Sequence, residues 1–183
     1  MKRAYPRVWL FTDERQGEKL WAALDRLPRG AGLVFRHYSA PDRWGLAKRV
    51  RAAARQRGIA FVIAGTAREA RAMRADGQHR PGWARGGWAP GLRTASAHNL
   101  GELRAAERAG AALVFVSPVF TTGSHPGAKP LGRIRFGLLA RAARVPVAAL
   151  GGMDASRYQM LRPFGASAWG AIDDFGVDRR QSA

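Results

Sequence analysis

Eight short runs of β type, most of them apolar, recur along this chain, and most are followed by a stretch with helical spacing. The runs lie at 8–12, 32–38, 59–64, 77–79, 92–97, 112–116, 145–150 and 167–172. Helical patterning falls at 18–27, 44–57, 68–74, 100–109, 134–143 and 156–161. Strands alternating with helices through short turns imply parallel βα units. Runs such as Ile59-Ala60-Phe61-Val62-Ile63-Ala64 are apolar on both faces, as buried parallel strands are. Two architectures satisfy this pattern, a closed eight-stranded barrel and an open doubly wound sheet. An open sheet that binds dinucleotides carries G-x-G-x-x-G after its first strand, and this chain has Thr12-Asp13-Glu14-Arg15-Gln16-Gly17 there. The expected fold is therefore α/β, a closed eight-stranded parallel βα barrel in a single domain over 1–183. Few residues follow Phe175, so its last helix is expected to be short or missing.

Composition narrows the function classes. With no cysteine, disulfides, thiolate metal sites and a cysteine nucleophile are excluded. No apolar run reaches the roughly 18 to 20 residues of a membrane span. The start, MKRAYPRVWLFTDER, has no signal-peptide core, so a soluble cytoplasmic protein is expected. The net charge is +18, mostly from arginine in the first half of the chain. Such a surface attracts phosphates and anionic cofactors. It also fits solvated helix faces in an arginine-rich proteome, which is preferred here to nucleic-acid binding. The Arg/Trp segment at 77–93 could stack bases, close over a substrate or pack locally.

After the sixth run the chain changes character. Val114-Phe115-Val116 leads through Pro118-Val119-Phe120 into Thr121, Thr122, Gly123, Ser124, His125 and then Lys129. In a barrel, function collects where strands end in βα loops. Hydroxyls, glycines and positive charge at such a place suit an anion. Gly151-Gly152 after the seventh run lets backbone N–H groups approach a phosphate, although a tight turn alone also uses such a pair.

These pieces, in order, are a familiar set. Ser96-Ala97-His98-Asn99, the stretch at 101–132, Val145 to Met153 and Gly165-Ala166 together resemble the thiamin phosphate synthase/TenI family, whose members are eight-stranded βα barrels. The resemblance implies a synthase that joins a pyrimidine diphosphate to a thiazole phosphate, releasing pyrophosphate with Mg²⁺. TenI-like members instead tautomerise the thiazole phosphate with a histidine in the Ser-x-His stretch. On this basis His98 is the candidate catalytic residue. Arg36, Ser96, Thr121, Thr122, His125, Lys129, Gly151 and Gly152 are the candidate substrate-binding residues for a small phosphorylated substrate.

The chain departs from the family pattern on the diphosphate side. Gln-Leu-Arg-x-Lys on strand two reads Val34-Phe35-Arg36-His37-Tyr38, and Asn-Asp after strand three reads Ala64-Gly65. No acid stands between Asp76 and Glu102, and Asp173-Asp174 replaces Ser-Ala after strand eight. No metal ligands and no certain cofactor are assigned; Mg²⁺ is expected only if carboxylates come from other positions. The leading expectation is a synthase-like barrel. The alternatives are a metal-independent tautomerase, a phosphate-binding sensor and, weakest, a basic nucleic-acid-associated protein. A homo-oligomer, most simply a dimer, is expected from the apolar surface that a missing last helix would leave.

Overall fold

A computed structural model describes residues 5–123, 127, 129–172 and 175. Eight parallel strands close into a barrel in strict chain order, with the first strand pairing to both the second and the eighth. They are β1 (Val8–Phe11), β2 (Gly32–Phe35), β3 (Ala60–Ala64), β4 (Gly77–Pro81), β5 (Leu92–Ala97), β6 (Leu113–Val116), β7 (Val147–Leu150) and β8 (Ala166–Ala171). Helices α1 (Lys19–Arg26), α2 (Arg43–Gln56), α3 (Ala67–Ala72), α4 (Leu100–Arg108), α5 (Gly132–Ala142) and α6 (Ala155–Leu161) cross between them. None is long and apolar enough to span a membrane.

Side chains alternate across the barrel wall. Trp9, Phe11, Val34, Val62, Phe115, Ala148, Leu150 and Ala168 fill the interior. Large rings fit because small residues stand opposite them. A Cβ on Gly32 would lie 2.3 Å from the Trp9 ring, and one on Gly170 would lie 3.0 Å from Phe11. Phe115 holds both rings edge-on, at 5.4 Å from Trp9 and 4.8 Å from Phe11. Outside the wall, one apolar cluster packs under α1 to α3 and a second under α4 to α6.

Two elements differ from the sequence expectation. Strand two ends at Phe35, which leaves Arg36, His37 and Tyr38 in the loop at the barrel mouth. Strand four runs on to Pro81, its last residues in register with Ala95 and Ser96 of β5. Proline is tolerated there because it closes the strand. The outward side chains of β4 are polar yet buried, and residues 82–91 explain this. They run over the outer wall between β4 and β5, where a crossover helix would otherwise lie. Gln78 donates to the Gly65 carbonyl and accepts from the Ala89 N–H. Arg80 donates to the Gly86 carbonyl and stacks 3.9 Å from the Trp88 ring centroid. Trp88 in turn donates to the Ala109 carbonyl. Gln78, Arg80 and Trp88 of this segment are thus fastened to the barrel's flank, while Trp83 is 69% exposed and Arg85 is exposed as well. Ile134 and Leu138, one turn apart on α5, are also exposed. The expected final helix and Asp173-Asp174 lie outside the described residues.

Candidate functional site at the barrel mouth

The strand C-termini bring the sequence candidates to one end of the barrel, in two groups. The first group is built by β5, β6 and β7. His98 follows β5, and its Nδ1 lies 2.8 Å from the Ser117 carbonyl. A carbonyl only accepts, so Nδ1 carries a proton, and in the neutral ring Nε2 is the acceptor. The His98 N–H donates to the Glu102 carboxylate, Asn99 Nδ2 donates to the same carboxylate, and Asn99 Oδ1 caps α4 by accepting from the Glu102 N–H, which fixes the loop that carries the ring. Ser96, half-buried, lies on the same side of β5 as His98 and opposite Phe115 of β6.

The β7 turn is locked against the β6 loop. The Val119 N–H donates to the Leu150 carbonyl at 2.9 Å, and the Phe120 N–H donates to the Gly151 carbonyl at 3.1 Å. Arg157 donates to the Gly152 carbonyl and lies over the Phe120 ring at 5.0 Å. In a trans peptide the N–H points opposite to the carbonyl. The Gly151 and Gly152 N–H groups are therefore turned away from the β6 loop, and among the described residues they meet no acceptor. Both glycines have positive φ, +93° and +60°. A Cβ on Gly152 would lie 2.4 Å from the Thr121 carbonyl oxygen, and one on Gly151 would lie 2.8 Å from Pro118 Cα. Glycine is thus required on packing grounds, and at this turn two adjacent N–H groups have no hydrogen-bond acceptor among the described residues. Thr121 is exposed and Thr122 half-buried beside this turn, whereas Lys129 is exposed farther along. His125 lies outside the described residues.

The second group is built by β1 to β4, and most of it was not singled out from the sequence. Asp13, just past β1, is buried to 8%. Its Oδ1 accepts from Arg15 Nε at 2.7 Å and its Oδ2 from Arg15 Nη2 at 3.2 Å. Arg15 Nη1 reaches the Gly123 carbonyl at 3.2 Å, tying the β1 loop to the β6 loop. Arg36 Nη2 approaches Asp13 Oδ2 at 3.5 Å, with its guanidinium 5.9 Å from the Phe11 ring centroid. The paired Arg15 guanidinium holds the Asp13 carboxyl below the usual carboxylate range, against the opposing effect of burial.

Beneath Arg36, His79 of β4 is packed edge-on against Phe11, and its Nδ1 lies 2.9 Å from the Thr94 hydroxyl. Burial, with the Arg36 charge adding to it, pushes its pKa down to about 3. His79 is therefore a neutral ring at neutral pH. Asp13 was legible in one respect: Asp-x-x-Gln after a strand is a capping box, and Asp13 and Gln16 form one here. His79 gave no comparable signal, since a lone histidine on a strand is more often a packed core residue.

Among the described residues no group of three or more His, Asp or Glu side chains gathers to hold a metal ion. Ala64 and Gly65 close β3 without a carboxylate. The nearby acids are engaged: Glu69 pairs with Arg43 at 2.7 Å, and Glu14 accepts from the Ser39 N–H.

Comparison with known proteins gives the family. A family model described as thiamine monophosphate synthase matches residues 91–175, the part that includes His98 and the glycine turn. The chain is also 30% identical to a putative thiamine-phosphate synthase 2 of Aquifex aeolicus, over 93% of this chain and 97% of that one. The chain belongs to the thiamine monophosphate synthase family. Solved members of the family share its barrel. Thiamine phosphate pyrophosphorylase from Pyrococcus furiosus superposes with a TM-score of 0.76 at 23% identity, covering 94% of this chain and 88% of that one. The Bacteroides thetaiotaomicron thiamine phosphate pyrophosphorylase gives 0.61 at 17% identity, over 96% and 88%.

Proposed function

We propose that the barrel is a transferase of thiamin biosynthesis that holds a thiazole phosphate at the β6–β7 side of its mouth and joins it to a pyrimidine diphosphate. Family membership supports the reaction class. The observation that carries the substrate assignment is the pair of N–H groups on Gly151 and Gly152 that have no acceptor among the described residues, in a turn whose Leu150 and Gly151 carbonyls are tied to the β6 loop. Paired backbone donors of this kind suit a phosphate, and Thr121 and Thr122 in the adjacent loop carry hydroxyls that would add to them. The ring of the substrate would then extend toward Ser96 and His98. In the transfer step the bond between the pyrimidine methylene and the diphosphate breaks, pyrophosphate leaves with the electron pair, and the thiazole forms the new bond.

His98 favours one second reading, a thiazole phosphate tautomerase. Its proton on Nδ1 is committed to the Ser117 carbonyl, so Nε2 can take a proton from a substrate carbon and return it elsewhere. Two assays separate the readings. The transferase releases pyrophosphate when given both substrates, and a chain that binds thiazole phosphate yet releases none would remove it. The tautomerase loses turnover in His98→Ala while retaining thiazole phosphate binding; turnover that survives the substitution would remove that reading.

A further inference from the structure

The residues at the β1–β4 side of the mouth do not fit a divalent cation. Mg²⁺ takes oxygen ligands, commonly one or two carboxylates along with phosphate oxygens. Among the described residues the one buried carboxylate beside Arg36 is Asp13, and both of its oxygens already receive guanidinium N–H groups. The same place is rich in donors. Arg36 is only 20% exposed, and a guanidinium carries five N–H groups. Among the described residues its side chain makes one hydrogen bond, the 3.5 Å contact to Asp13.

Arg15 explains why Arg36 is left in that state. The Arg15 fork covers both Asp13 oxygens, at 2.7 and 3.2 Å, and is anchored across the mouth on the Gly123 carbonyl. A carboxylate already held in a bidentate pair has little left to offer a second guanidinium. Without Arg15, Asp13 could turn onto Arg36 and pair with it fully. Among the described residues the other neighbouring acids are directed elsewhere, Glu69 to Arg43 and Glu14 to the Ser39 N–H.

We infer that Arg36 is the direct contact of a diphosphate site that works without a divalent cation, and that Arg15 is a positioning residue which keeps Asp13 from quenching it. The inference rests on the transferase reading and concerns the leaving-group end of the same mouth. A dianionic or more highly charged pyrophosphate has several oxygens for the Arg36 fork, and a charge-assisted pair in a half-buried site is the strong kind.

Titration calorimetry with inorganic pyrophosphate tests this directly. The wild-type protein should bind in excess EDTA, and adding Mg²⁺ should leave binding unchanged or weaken it. Arg36→Gln should weaken binding by about tenfold or more, as loss of a charge-assisted hydrogen bond does. Arg15→Gln should weaken it as well, and Asp13→Asn combined with Arg15→Gln should recover much of the loss, because the freed carboxylate is then gone. Arg133→Gln, on the exposed face of α5, should have no effect and controls for diffuse attraction to a +18 chain. Binding that appears only with Mg²⁺, or Arg36→Gln binding as well as wild type, would overturn the inference. A double variant no better than Arg15→Gln would overturn the role of Arg15. Thiazole phosphate binding, measured separately, reports on the β6–β7 side. Its failure would sink the function proposed above while leaving the pyrophosphate result intact.

Discussion

The two sides of the barrel mouth use opposite means to present positive potential. At β5 to β7 the donors are backbone N–H groups, fixed by glycine turns and by carbonyls tied to the neighbouring loop. At β1 to β4 they are arginine side chains, fixed by one shared carboxylate above a neutral histidine. A backbone cradle tolerates almost no change at its glycines but is indifferent to most side chains around it. A side-chain cluster can be rebuilt residue by residue. This contrast fits the family model matching residues 91–175, which leaves the first four strands outside the match.

The contrast can be broken most severely by acid. His79 is neutral when folded, with a pKa near 3, and ordinary when unfolded. Below about pH 6.5 the unfolded chain binds the extra proton, so stability should fall by about 1.4 kcal/mol per pH unit as pH drops from there toward about 3. His37, also held low by burial, adds to the same slope. Asp13 has a depressed pKa, so its contribution is present above the ordinary carboxylate value and is lost only as pH falls through the folded one. Urea titrations across pH check this: His79→Gln should remove most of the slope above pH 4.5, and an unchanged slope would show that the ring is not buried neutral.

On the other side of the mouth, Gly152→Ala places a Cβ 2.4 Å from the Thr121 carbonyl oxygen at a positive φ. A cost of about 2 to 3 kcal/mol is expected in the same measurement, together with loss of thiazole phosphate binding. Normal binding by this variant would show that the cradle is elsewhere. Thr66 caps α3 and shares a capping box with Glu69, so Thr66→Ala should cost about 1 kcal/mol without changing either ligand's affinity. Smallest of all is Trp83→Ala, expected within about 0.5 kcal/mol of wild type because the ring is exposed. Trp88→Ala, which loses the stack on Arg80, should be clearly worse.

Much of the barrel was legible because its strands are short, apolar on both faces and separated by helical spacing. The β4 strand was read too short because its outward residues, Gln78 and Arg80, are polar. They are buried only through hydrogen bonds to a loop that no local pattern assigns to the wall. At the site, Gly151-Gly152 and His98 were found because they sit in an ordered run of motifs. Arg36 was found through the same motifs, but Asp13 and Arg15 beside it were missed because they are brought to it from 23 and 21 residues away, and an Asp-Glu-Arg run reads equally well as a solvated turn. Arg157 was missed for a related reason, since an arginine in a helix gives no sign that it reaches back to a turn carbonyl.

The central claim is a transferase whose phosphate cradle is backbone and whose diphosphate side is arginine. It is tested most directly by supplying the purified protein with thiazole phosphate and the pyrimidine diphosphate in excess EDTA and following pyrophosphate. Release that persists in EDTA and is lost in Arg36→Gln is the expected result. No release, or release only when Mg²⁺ is restored, would contradict it.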